Sequence, residues 1–133
     1  MGYKPNKPSR CIIESYEAES ALTAGYAVIF GTAEDQVDEV GSANDPCIGI
    51  NLYDRAVGQM ADIVLWGPTK AIAGSGGVTK GDLCATDGTG KLVAITVGET
   101  TGAQRVVGMA MTSADTDGDG FTLWVGRNDF VAV

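Results

Sequence analysis

Gln59-Met60-Ala61-Asp62-Ile63-Val64-Leu65-Trp66 reads as a β-strand, and its end returns further on as Phe121-Thr122-Leu123-Trp124. Side chains alternate across a strand, so Ile63 and Leu65 share one face, as do Phe121, Leu123 and Val125. Trp66 and Trp124 then point to the other face, beside Val64 and Thr122. Working outward, two more echoes appear in the same order. Leu22-Thr23-Ala24-Gly25 matches Val78-Thr79-Lys80-Gly81, and Cys47-Ile48-Gly49-Ile50 matches Val106-Val107-Gly108-Met109. The three offsets are 56, 59 and 58 residues, which predicts two similar halves, about 22–72 and 78–131. Two copies make a duplicated sandwich or barrel and not a solenoid, which needs at least three.

The rest of the chain has the same texture. Glycine, 19 of 133 residues, punctuates short runs rich in β-branched and aromatic residues. Strands are expected at Arg10–Tyr16, Tyr26–Phe30, Cys47–Leu52, Gln59–Trp66, Lys70–Ala73, Asp82–Thr86, Lys91–Thr96, Arg105–Thr112, Gly120–Val125 and Asp129–Val133. Turn signals at Gly74-Ser75-Gly76-Gly77, Asp87-Gly88 and Asp117-Gly118 separate them. Only Glu14–Ala24 could hold a helix of about three turns before Thr23-Ala24-Gly25 ends it. The expectation is an all-β fold, a compact sandwich or barrel with a jelly roll among the alternatives. Residues 11–133 form a single β domain, preceded by an extended arm over 1–10.

Composition narrows the function. The sequence has no histidine, so Ser-His and Cys-His pairs and imidazole metal ligands are closed to it. Cys11, Cys47 and Cys84 lie far apart among apolar neighbours and read as buried thiols acting as small hydrophobes. The residues point away from an enzyme and to no cofactor. No apolar run is long enough for a membrane-spanning helix, and the polar first ten residues lack the apolar stretch of a secretory signal, which suggests folding in a cytosol. The formal charge is −8, yet Lys4, Lys7 and Arg10 sit in a first decade that holds no acid. So acidic a body is repelled by nucleic acid and by anionic membranes, and neither is expected as a partner.

Several motifs invite a sharper reading. Asp115-Thr116-Asp117-Gly118-Asp119-Gly120 begins like a calcium loop, but position 12 is Gly126 and no helix flanks it; Asp115, Asp117 and Asp119 are weak metal candidates in what reads as an acidic hairpin turn. Gly74-Ser75-Gly76-Gly77 lacks the Gly-Lys-Ser/Thr ending of a phosphate loop and reads as a flexible link between the halves. Glu34, Asp35, Asp38 and Glu39 have no apolar surroundings to raise a pKa and read as a solvated loop. The arm, Gly2 to Arg10, is held extended by Pro5 and Pro8 and carries Tyr3 beside its three cations. It reads either as a solvated terminus or as a strap that orders on a neighbouring acidic subunit. Trp66 and Trp124 read either as a second buried layer or as interface anchors. The candidate partner-binding set is therefore Tyr3, Lys4, Pro5, Lys7, Arg10, Trp66 and Trp124.

One family resemblance follows from residues rather than composition. Val78-Thr79-Lys80-Gly81-Asp82-Leu83, then Gly88-Thr89-Gly90-Lys91-Leu92-Val93, then Val107-Gly108-Met109-Ala110, resembles the capsid cement or decoration proteins of tailed bacteriophages. The likeness covers roughly residues 20–126 and rests on turn glycines and strand residues. The long loop Glu34–Asp45 and the basic, proline-containing arm depart from that pattern. The resemblance implies a compact β structural protein on the capsid exterior of the virion, made in the host cytoplasm. Its implied partners are the major capsid protein and other copies of itself, as a dimer or trimer at capsid symmetry axes. Contacts with several subunits at once would gain by effective concentration. The alternative is a β-sandwich module that binds a glycan or receptor on a viral fibre or cell surface.

Overall fold

A computed structural model describes residues 11–43, 45–95, 104–126 and 130–131. They form eleven strands and, among the described residues, no helix. In chain order these are β1 (Ile12–Ala18), β2 (Ala27–Phe30), β3 (Gln36–Glu39), β4 (Cys47–Asn51), β5 (Met60–Ile72), β6 (Leu83–Thr86), β7 (Leu92–Ala94), β8 (Gln104–Arg105), β9 (Gly108–Ala110), β10 (Gly120–Val125) and β11 (Phe130–Val131). Nine strands run in the order β1-β3-β2-β4-β5-β10-β9-β6-β7, and β1 also pairs with β5. That last pairing closes β1, β3, β2, β4 and the first half of β5 into a five-stranded barrel. The pair β8–β11 stands apart as a small ribbon.

The second half of β5 starts the same arrangement again. In barrel one, β1 pairs with β3 in parallel and with β5 antiparallel; β2 joins β3 to β4, and β4 returns to β5. In the second unit, residues 67–73 meet β7 through the parallel bridge Ala73–Leu92 and β10 antiparallel; β6 joins β7 to β9, and β9 returns to β10. Loop hydrogen bonds repeat as well. Leu22 and Arg55 exchange both backbone bonds, as do Val78 and Ala114; Gly58 donates to the carbonyl of Ala18 as Gly118 does to that of Ala73. We call the second unit barrel two.

The cores correspond residue for residue. Ala18, Leu22, Val28, Val37, Ala61 and Ile63 fill barrel one. By register, Ala73, Val78, Cys84, Leu92, Phe121 and Leu123 take the same places in barrel two, and all are buried. Fully burying one such aliphatic side chain contributes about 1.5–3 kcal/mol.

These registers revise the sequence reading at four points. The repeat begins at β1 and again at Gly67, so the units share a 13-residue strand where two strands were expected. Gly67, at φ 112°, and Pro68 mark where that strand passes from one barrel to the other without breaking. Glu14–Ala24 is not helical: β1 occupies its first part, with Tyr16 and Ala18 turned inward at period two. The Leu-Trp echo is slipped by two residues, because Ile50 opposes Val64 while Met109 opposes Trp124. Ile63 is thus the counterpart of Leu123, and Leu65, only partly buried, matches Val125. A slip of two leaves every side chain on its face, so the inward pattern survived the error. Finally, Gly74–Gly77 turns within barrel two and does not link the halves; Gly74 N donates to Leu92 O, and a Cβ on Gly77 would lie 2.3 Å from Ala114 O.

Candidate functional site

The acidic motifs are consumed locally. Asp117 pairs with Lys91 at 2.9 Å, and Asp119 accepts from the backbone and hydroxyl of Thr116, so the three carboxylates of Asp115–Asp119 do not converge. Among the described residues no three His, Cys, Asp or Glu side chains are grouped to hold a metal. Gln36–Glu39 is a strand, not loop, with Val37 fully buried in barrel one; Asp38 accepts from Ser20 Oγ and from the Glu39 amide. An alternation carried by a single apolar residue was too short a signal to find it.

Two of the three thiols are buried. Burial pushes Cys47 and Cys84 up to about 12, reinforced by the charges of Asp45 and Asp82. Cys11, half-buried, donates its thiol to Pro68 O at 3.2 Å. An open groove of about 470 Å³ lies between Phe30, Pro46, Cys47, Leu65, Arg105 and neighbouring aliphatics. Its lining is apolar apart from Arg105 and offers no carboxylate pair.

The outer face of the sheets is more telling. Across barrel one, register aligns Val40, Ala27, Ile50, Val64 and Ile13 in one outward row spanning all five strands. Four of the five are buried, because barrel two lies on them: Ala27 N donates to Gly90 O, and Ile72 N to Gly25 O. In barrel two the equivalent row is Ile95, Leu83, Met109, Trp124 and Pro68. None of these five is buried, and Met109 is 41% exposed. Trp66 extends the row: its ring meets Trp124 edge-on at a centroid distance of 4.8 Å, and it opposes the exposed Ile12. A Cβ on Gly126 would lie 2.5 Å from Trp66 Cδ1, so a residue without one leaves room for the indole there.

The two tryptophans therefore belong to the surface, outside either core. Sequence alternation put them on the face opposite Ile63 and Leu65 and left open whether that face is a buried layer or an interface; Met109, Leu83, Ile95 and Pro68 are added by register alone. Tyr3, Lys4, Pro5, Lys7 and Arg10 fall outside the described residues.

No family model and no curated protein matches the sequence. Among solved structures, the chain is similar to the N base of the head fiber gp8.5 of bacteriophage phi29. The two share 19% identity at a TM-score of 0.61, over 90% of this chain and 97% of that one. The likeness establishes the fold: an all-β, barrel-based architecture shared with a phage head protein.

Proposed function

We propose that this chain is a structural protein of a bacteriophage virion that sits on the capsid exterior, binds the major capsid protein and reinforces the shell as a cement subunit. The fold likeness to a phage head-fibre base, spanning nearly the whole of both chains, carries this reading. The surface agrees with it. Polar clusters are tied up in turns, while an uncharged apolar row stays partly exposed. In this reading the basic arm supplies Tyr3, Lys4, Pro5, Lys7 and Arg10 to an acidic neighbour, and the chain works as a scaffold, with no active site or cofactor.

The same neighbour favours a second reading, in which the chain is the base that roots a fibre on the head. Cosedimentation with assembled shells of the encoding virus tests both. Binding that raises the temperature at which shells break supports the cement role. Binding that leaves that temperature unchanged supports a fibre base, and absence from the shell fraction overturns both.

A further inference from the structure

We infer that the open groove walled by Phe30, Ile48, Leu65 and Arg105 docks a segment of a partner protein in which a bulky apolar side chain lies beside a carboxylate. The inference rests on the virion-structural reading for the identity of that partner, the shell protein, and on the groove alone for its chemistry.

The duplication supplies a control. By register, Ile29, Phe30, Ile48 and Leu65 correspond to Ala85, Thr86, Val107 and Val125. The second four are at most 4% exposed, whereas none of the first four is buried and Phe30 is 57% exposed. At each of these positions the larger, more apolar side chain stands in the more open barrel. A surface that meets only water favours the reverse. The backbone makes the opening. β4 parts from β5 after Ile50–Val64, while β9 stays with β10 for one pair more, Gly108–Val125. Leu65 lies in that gap, and Tyr16 holds the ring of Phe30 edge-on at 6.0 Å.

Chemistry selects the occupant. Arg105 is the one ionised side chain on the lining. Burial and the charge of Asp45 push the Cys47 thiol of the groove up, and Arg105 acts on it in the opposite sense, so the guanidinium charge is felt inside the groove. Residues 11–66 hold ten acids against one base, so a carboxylate is turned away from most of barrel one and meets its complement here. Nucleic acid and anionic membrane need clustered bases, which one guanidinium does not supply. A small ligand is held by burying most of its surface. An open groove gives no such cover, whereas a segment carried on a protein brings its own.

Nuclear magnetic resonance titration of the full chain with acetyl-Leu-Phe-Asp-amide tests the groove. The amide resonances of Ile48, Leu65 and Val106 should move, while those of Val57 and Met111, exposed elsewhere, should not. Acetyl-Leu-Phe-Asn-amide should bind severalfold more weakly, and Arg105→Gln should erase that difference. Phe30→Asp, at an exposed site, should lower affinity by about tenfold or more with unchanged circular dichroism. No movement at the groove up to the solubility limit of the peptide, or equal binding of the Asp and Asn peptides, overturns the inference. Shell cosedimentation identifies the carrier of the segment. Loss of Phe30→Asp from the shell fraction, with the parent retained, supports the shell protein; equal retention of both overturns it as the partner. A parent absent from the shell fraction overturns the virion reading, and the peptide result still decides the groove.

Discussion

Barrel one and barrel two fold the same way and face the world differently. Their pairing orders match strand for strand and their cores residue for residue. Residues 11–66 nevertheless carry ten acids and one base, while 67–126 carry six acids and four bases. Barrel one buries four of the five residues of its outward row, whereas barrel two leaves all five of its own at least partly exposed. Topology is fixed by inward residues and by a few backbone approaches, which leaves outward residues free to diverge. Divergence has gone into charge on one unit and into an open apolar surface on the other.

The largest effects should come from what the two units hold in common. Ile63→Ala and Leu123→Ala, both at fully buried and equivalent sites, should each cost about 2–5 kcal/mol in denaturant unfolding. Leu65→Ala, at a partly buried site, should cost less than either. Since β5 belongs to both barrels, each variant should show one transition, coincident by tryptophan fluorescence and circular dichroism. Two separated transitions would mean that the barrels are independent and the shared strand is incidental.

The close approaches come next. A Cβ on Gly49 would lie 2.2 Å from Val64 O, and one on Gly108 would lie 2.1 Å from Trp124 O. Gly49→Ala and Gly108→Ala should therefore destabilise by similar amounts, about 1–3 kcal/mol or more, since backbone must move in both. Markedly unequal melting temperatures would show that the equivalence ends at topology.

Cys84 occupies the place that Val28 fills in barrel one, so Cys84→Val moves one core toward the other. At pH 7 it should change stability by less than about 1.5 kcal/mol. Alkali separates the two proteins. With the folded thiols raised to about 12 from an ordinary 9.0, the unfolded chain loses its protons first. Their contribution is thus complete below pH 9 and is lost as pH rises toward 12. Melting temperature should fall across that window, and less steeply for Cys84→Val; identical slopes would remove the thiol from the explanation. The smallest effect belongs to the surface. Asp117→Asn, which breaks the exposed pair with Lys91, should leave the melting temperature nearly unchanged at physiological salt.

Much of this was legible in the sequence. Period-two patterning located most strands, with Gly120–Val125 met at both ends, and the offsets at Leu22/Val78 and Gly49/Gly108 agree with the registers. What failed has physical causes. The Leu-Trp echo matched letters, but Trp124 opposes Met109 and Trp66 opposes Ile12, positions that do not correspond. Gly67-Pro68 looks like a stop, and only the partner strands on either side reveal that it continues β5. The candidate site was half visible. Alternation put the two tryptophans on one face without deciding between a buried layer and a surface, and the row beside them is assembled across β6, β9, β10 and β5, which no sequence separation announces.

Ile12 opposes Trp66 and Val125 opposes Gly67, so the first strand of barrel one and the last of barrel two meet β5 at consecutive residues. Force applied at Ile12 and at Val125 therefore enters and leaves at one point, the middle of β5. Drawn toward the same support, the two ends load only that junction, and neither barrel is stretched. Drawn in opposite directions, they load β1 and β10 against β5 from its centre outward, with β3 and β9 holding their other edges. Mechanically, the fold withstands tethering from one side and yields to being pulled through.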